Sequence, residues 1–353
     1  RDSIATRVNK EGLIEVVGRD KLRIDYTDTD KGVALLEPQR TNYVKHSESI
    51  DNWSTGFSSL SPNAVTANYE QGPYSNTNAD RVQLTINPSN TVSQIFQVLP
   101  ITSGVHTVSV WLKSLSGTPT ISIIDGYNTV GSFKLVTLTN EWVRHTLTFT
   151  TTASDFIPQF LLINGTTSSS ADFLAYGFQV EQGNVSSYIP TSGSAVQRAA
   201  DVANNAGNSE VFNDSEGVLF ADVSRLIKDT TFETIQLTDG SSSNNVRLKF
   251  RNIENVFYAS IKSSNGSTNA TLNYTFADVS LFNRIAVKYK TNDFSLFVNG
   301  FEVATSNSGN SPLNLSELNF ESPTGTENFY GKTKEIGYYD EILTDSELEY
   351  LTS

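Results

Sequence analysis

From Trp53 onward, short runs rich in β-branched and aromatic residues recur at intervals of about 8 to 15 residues, separated by Gly, Asn, Ser and Pro. In Val108-Ser109-Val110-Trp111-Leu112-Lys113 and in Arg144-His145-Thr146-Leu147-Thr148-Phe149, apolar and polar positions alternate. That is the period of a strand with one face buried and one face wet. A first set of strands is predicted over residues 81–86, 92–98, 106–113, 120–124, 133–138, 143–149 and 156–163. A second set is predicted over 217–224, 233–238, 245–251, 256–260, 271–276, 283–290 and 294–298. Lys290-Thr291-Asn292-Asp293-Phe294 supplies a hairpin turn, and Asn299-Gly300 suits a type I′ turn before Phe301. The one helix expected is terminal, with Thr344 as N-cap, Asp345 and Glu347 in its first turn, and Leu348 and Leu351 on one face. His145 is expected to face solvent from its strand.

Residues 1–45 differ from both sets and read as an arm or adaptor, with short strands at 12–15 and 23–26 around the turn Gly18-Arg19-Asp20-Lys21. The stretch after Tyr188 turns to Ser, Gly, Ala and Asn, the composition of a linker. The expected fold class is therefore all-β: two tandem antiparallel β-sandwiches with an N-terminal extended arm. The expected limits are 1–45 for the arm, 46–192 for the first sandwich, 193–215 for a linker and 216–353 for the second. The total of 353 residues agrees, being more than a single core of roughly 150 residues holds.

Charge narrows the classes of partner. Acids outnumber bases 38 to 25, and a net charge of −13 disfavours any protein that tracks phosphate backbones. Nucleic acid is not expected as a partner, and neither is membrane insertion, because no apolar run reaches the ~18 residues a span needs. Cys is absent and His numbers 3, which removes disulfides, thiolate chemistry and histidine-based metal sites. Met is absent even at position 1, so a processed or excised segment of a longer chain is expected.

Three stretches together resemble a known module. They are Ala5-Thr6-Arg7-Val8-Asn9 with Gly12-Leu13-Ile14-Glu15, then Leu36-Glu37-Pro38-Gln39-Arg40-Thr41-Asn42, and Gln179-Val180-Glu181-Gln182-Gly183 with Ser187-Tyr188-Ile189-Pro190-Thr191-Ser192-Gly193. The module is common in bacteriophage tail, fibre and other virion surface proteins, and is a jelly roll similar to carbohydrate-binding modules. The second half resembles a laminin-G-like or concanavalin-like jelly roll. Residues 282–289 followed by 294–300 look like its paired strands, and 336–348 like its closing strand and helix. The resemblance implies a virion surface location, host-surface polysaccharide and other virion proteins as partners, and a homotrimer by analogy with phage fibres. Among cofactors it implies none beyond a structural calcium, for which Asp239 is the candidate carboxylate.

Catalysis finds no motif. The Glu-x-Asp-x-x-Glu run of laminarinase-type hydrolases is missing, as are a Gly-x-Ser-x-Gly elbow and a phosphate-cradling Gly loop. Glu335 with Asp340 and Glu341 has the wrong spacing and reads as solvated carboxylates. The chain is accordingly read as non-enzymatic. Sugar binding asks only for a ring to cover the apolar face of a pyranose and for amide or charged groups to meet its hydroxyls. Trp53, Trp111 and Trp142 read as packing residues. Aromatics in polar loops are the better candidates: Tyr69, Tyr74 and Tyr127 with Asn128 in the first sandwich. Asp239, Asn245, Arg247 and Tyr330 are the candidates in the second. The leading expectation is recognition of host-surface polysaccharide by a phage virion protein. The alternatives are a secreted bacterial polysaccharide-degrading enzyme or its binding portion, and a purely structural decoration protein.

Overall fold

The structure, a computed structural model, describes residues 1–54, 63–73, 78–87, 91–124, 129–130, 134–152, 155–226, 232–251, 253, 255–264 and 270–353. It is all-β and antiparallel in every strand pairing between named strands, apart from the short terminal helix Asp345–Thr352 and one 3-10 turn. The chain divides into two compact units. Sandwich one comprises residues 2–21 and 39–199, and sandwich two comprises residue 1, residues 22–38 and residues 200–353.

Sandwich one pairs a six-stranded sheet with a four-stranded one. The first runs, in spatial order, Thr129–Val130, Val143–Thr151, Gly104–Ser114, Ser170–Gln182, Asn78–Thr85 and Asn63–Gln71. The second runs Leu135–Thr137, Thr120–Ile124, Pro158–Ile163 and Val92–Phe96. Alternation decides what goes between them: Val82 and Leu84, Val108 and Val110, and Phe173 from one sheet meet Ile95, Ile121, Ile123 and Phe160 from the other. Trp53 lies in this core, stacked on Phe160, its indole N–H donating to the His46 carbonyl at 2.8 Å. Residues two apart on a strand share a face. His145 is therefore not solvent-facing as expected, but half-buried on the side of Leu147 and Phe149, where burial and then the Lys134 charge lower its proton affinity.

The motif segments of sandwich one meet each other. The strands Arg40–Asn42 and Val196–Arg198 pair, and the Asn42 side chain lies at the centre of the seam. Its amide donates to the carbonyls of Phe178 (3.3 Å) and Ile189 (2.9 Å), and its Oδ1 accepts from the N–H groups of Val44 and Val180, both at 3.1 Å. Gln179 Oε1 accepts from the Ile189 N–H at 2.7 Å, and buried Glu181 accepts from the Ser186 N–H (2.8 Å) and hydroxyl (2.6 Å). Burial raises the Glu181 carboxyl against these donors. The signature residues thus hold backbone that no sheet satisfies.

Sandwich two pairs a seven-stranded sheet, ordered Phe301–Ser306, Asp293–Val298, Asn283–Lys290, Glu216–Arg225, Gly331–Tyr339, Val33–Leu36 and Ile24–Asp25, with a five-stranded one. The latter runs Ala270–Thr275, Val256–Lys262, Asn245–Phe250, Glu233–Thr238 and Glu317–Asn319. Leu219, Ala221, Ile285 and Val287 face Ile235, Leu237, Val246 and Leu248 across the core. At the tight hairpin, Asn299 (φ 49°) and Gly300 (φ 88°) both take the left-handed region that a type I′ turn demands. The terminal helix begins in a capping box between Thr344 and Glu347 and packs Leu348 on Val218, Phe220, Ala286 and Phe297.

One charged cluster in sandwich two is buried. Arg23 donates Nη1 to Glu37 at 2.6 Å and Nη2 to Asp201, whose other oxygen accepts from Arg1 at 2.9 Å. Asp201 also accepts the Glu37 N–H at 2.8 Å.

Candidate functional site

The face of the six-stranded sheet turned away from the core carries Arg81 and Gln83, Asp172, Leu174 and Tyr176, and Trp111 and Lys113. The pairings Gln83 with Asp172, Arg81 with Leu174, Lys113 with Leu174 and Trp111 with Tyr176 set these side chains beside one another. One half of the face is covered. There Trp111, Leu174, Tyr176 and Tyr188 form an apolar cluster, with the Arg144 guanidinium 4.4 Å from the Trp111 ring centroid. Gly177, at φ 65°, lets Trp111 lie across its strand, since a Cβ there would come within 3.0 Å of the indole. Trp111 and Trp142 are packing residues of this cluster.

The other half is open and holds Tyr69. A bulge between Thr66 and Glu70 raises the ring out of the sheet, with Asn68 at φ 52°. Asp80 pins the bulge from below: Oδ1 accepts the Asn68 N–H at 2.9 Å while Oδ2 accepts the Ile50 N–H at 2.7 Å. Burial raises the Asp80 carboxyl and these backbone donors oppose it. Tyr69 is 47% exposed, and the Arg81 guanidinium carbon sits 4.8 Å from its ring centroid. Arg81 is itself fixed by a fork onto Asp172, Nε to Oδ1 at 2.8 Å and Nη2 to Oδ2 at 2.5 Å, with Gln83 Nε2 at 3.3 Å. Lys113 and Glu70 pair at 3.1 Å beside them. The Arg81 hydrogen bonds hold the Asp172 carboxyl below the ordinary aspartate value. An aromatic platform rimmed by oriented guanidinium, carboxylate and amide groups can stack on one sugar face and hydrogen-bond the hydroxyls at its edge.

In sandwich two, Val246, Leu248 and Phe250 enter the core, so Asn245, Arg247 and Lys249 lie on the opposite face of the central strand. Gln236 pairs across from Arg247, and Thr234 and Tyr258 flank Lys249. Glu327 joins them, accepting from Lys249 Nζ at 2.7 Å and from the Thr234 hydroxyl at 3.1 Å. Asn328 bridges to Thr234 and donates to the Tyr330 hydroxyl at 3.0 Å. Asp239 is at the adjoining hairpin, where its oxygens accept from the Ser241 N–H (2.8 Å), the Ser241 hydroxyl (2.6 Å) and Asn244 Nδ2 (2.8 Å). These bonds tie the Asp239 carboxylate into its own turn. Among the described residues no three His, Asp or Glu side chains gather around a common point for a metal.

The structure thus sets Asn245 and Arg247 on one face and Tyr330 at its rim, with Tyr69 on a separate sheet of sandwich one. Tyr74, Tyr127 and Asn128 lie outside the described residues. Sequence reasoning missed Arg81 and Asp172, and also Gln236, Lys249 and Glu327. For Lys249 the signal was present: Asn245-Val246-Arg247-Leu248-Lys249-Phe250 alternates strictly, and its polar members share a face.

No protein-family model matches the chain, and no curated protein matches it. Among solved structures, the CBM40 of a Ruminococcus gnavus IT-sialidase, bound to α2,3-sialyllactose, is 17% identical over 43% of this chain and 95% of its own, with a TM-score of 0.37. A heptameric SAP-like pentraxin from Limulus polyphemus is 10% identical over 42% of this chain and 74% of its own, with a TM-score of 0.34. Domains LG4–5 of the mouse laminin α1 chain are 11% identical over 72% of this chain and 88% of their own, with a TM-score of 0.28. Likenesses of this size carry no argument about what the chain binds.

Proposed function

We propose that this chain is a non-catalytic glycan-recognition protein of a phage virion surface, binding host-surface polysaccharide through the open face of sandwich one. The observation that carries the reading is Tyr69, a half-exposed ring on a pinned bulge, braced by the Arg81–Asp172 fork. A half-exposed ring is the cheapest way to hold a pyranose, and the fixed rim supplies direction. Single contacts of this kind are weak. Display in many copies, as in a homotrimeric fibre bound to other virion proteins, would multiply them.

Binding to a panel of whole capsular and lipopolysaccharide preparations tests the reading. Saturable binding without chain shortening over hours is expected, and Tyr69→Ala should weaken it about fivefold, equivalent to roughly 1 kcal/mol of stacking. Depolymerised product would establish the enzyme alternative instead. The decoration alternative draws on exposed Phe301 (72%) and Tyr350 (83%), and it predicts no binding to any preparation.

The pH dependence follows from Asp172. Its folded proton affinity is lowered, so the fork is intact above the ordinary aspartate range and is lost only as pH falls below it. Asp80, which holds the bulge under Tyr69, has its carboxyl raised by burial and so protonates before Asp172 as pH falls; binding through Tyr69 is expected to stay level between about pH 6 and pH 8. A titration of affinity across that window checks this, and a steep change within it would mean another group governs the site.

A further inference from the structure

On the outer face of the five-stranded sheet two cations share one carboxylate. Lys249 holds Glu327 directly at 2.7 Å, whereas Arg247 gives its Nε–H to Gln236 Oε1 at 2.6 Å, an uncharged acceptor. Gln236 cannot exchange roles, because its Nε2 donates to the Glu321 carbonyl at 2.7 Å. Arg247 is only 7% exposed, and its Nη2 is buried with no hydrogen-bond partner among the described residues. Burial lowers the proton affinity of this guanidinium, and the Glu327 charge, then Tyr258, oppose the shift. Buried guanidinium groups are ordinarily met by a carboxylate, since an unmatched N–H and an unneutralised charge both cost free energy away from water.

Two further polar atoms on the same side are also without partners among the described residues. Asn245 Oδ1 and Asn328 Oδ1 are buried acceptors that receive no hydrogen bond, although their amide nitrogens donate to the Ser242 carbonyl and the Tyr330 hydroxyl. Asn245 is two positions from Arg247 on one strand, and Asn328 sits beside Thr234, the cross-strand neighbour of Lys249. A single donor carrying charge, together with acceptors awaiting hydroxyls, defines the missing partner chemically. It must bring an anionic acceptor and O–H donors at once.

We propose that this face is a second saccharide site, taking an acidic sugar whose carboxylate pairs with Arg247 and whose hydroxyls reach Asn245 and Asn328. The Arg247 Nη2–H can give one carboxylate oxygen of a uronic acid a charge-assisted hydrogen bond, which neither a hydroxyl nor an ester oxygen matches in strength. The site goes beyond the Tyr69 platform, since it belongs to the other sandwich and selects by charge.

Calorimetric titration with oligogalacturonate and oligoglucuronate, each set against its methyl ester, tests the proposal on the unaltered chain. The acid of at least one pair is expected to bind about tenfold more tightly than its ester, the usual scale of a charge-assisted hydrogen bond. Arg247→Gln is expected to erase that preference, with circular dichroism confirming that the variant is folded. Equal affinity for acid and ester in both pairs, no binding of either acid, or a preference that survives in folded Arg247→Gln would overturn the assignment. The comparison of acid with ester needs no variant, so a misfolded Arg247→Gln leaves it decisive.

Discussion

Replacing Arg23 by alanine is expected to destabilise sandwich two by about 3–5 kcal/mol, the scale on which removing one member of a buried ion network acts. Arg23 is almost wholly buried, and it stands between Glu37 and Asp201. Burial alone would depress its guanidinium. The charges and hydrogen bonds of the two carboxylates more than offset that, holding it above its ordinary value. Alanine takes from Glu37 and Asp201 the guanidinium that both carboxylates accept from. Arg23→Lys should give a smaller loss, because an ammonium keeps the charge but cannot fork onto two carboxylates. Calorimetry of the chain and its variants reads this out, and a change under about 1 kcal/mol for alanine would show the network to be energetically idle.

Asn42→Ala is the counterpart in sandwich one. Its side chain satisfies two backbone carbonyls and two backbone N–H groups, and the residue is fully buried. Alanine strands all four, at about 1 kcal/mol or more for each group left unmatched, so a loss of about 3–5 kcal/mol is expected. Asn42→Asp separates the causes. A carboxylate can accept from Val44 and Val180 but cannot donate to Phe178 and Ile189, so at neutral pH it should be no better than alanine. All three tryptophans belong to sandwich one, which makes indole fluorescence in a denaturant titration the reporter for this transition. An unshifted midpoint would refute the assigned role of Asn42.

Both variants show where sequence reading reaches and where it stops. Local rules carried the all-β class, the Asn299-Gly300 turn and the capped terminal helix, because each is decided by neighbours within a few positions. The bonds of Asn42 are decided by residues about 140 positions away, and nothing near Asn42 names Phe178 or Ile189. The resemblance singled out both segments without stating what joins them. The same limit applies to the candidate sites. Tyr69 was legible as a ring in a polar stretch, whereas the brace of Arg81 on Asp172 required the register of two strands. His145 misled for a different reason: alternation with Val143 and Leu147 places it on their face, the half-buried one.

The strand Val33–Leu36 pairs with Gly331–Tyr339 in the seven-stranded sheet, while residues 39–199 form the other sandwich. A ribosome releases Val33–Leu36 about 300 residues before Gly331–Tyr339, so Val33–Leu36, paired on its other side with Ile24–Asp25, must wait for that neighbour while sandwich one emerges. Meanwhile sandwich one can finish, and once it has, it shortens the loop that still has to close. Order of emergence thus becomes part of the folding programme. The seven-stranded sheet is completed only when Gly331–Tyr339 emerges, and it closes onto a piece of chain made before anything else in that sheet except Ile24–Asp25.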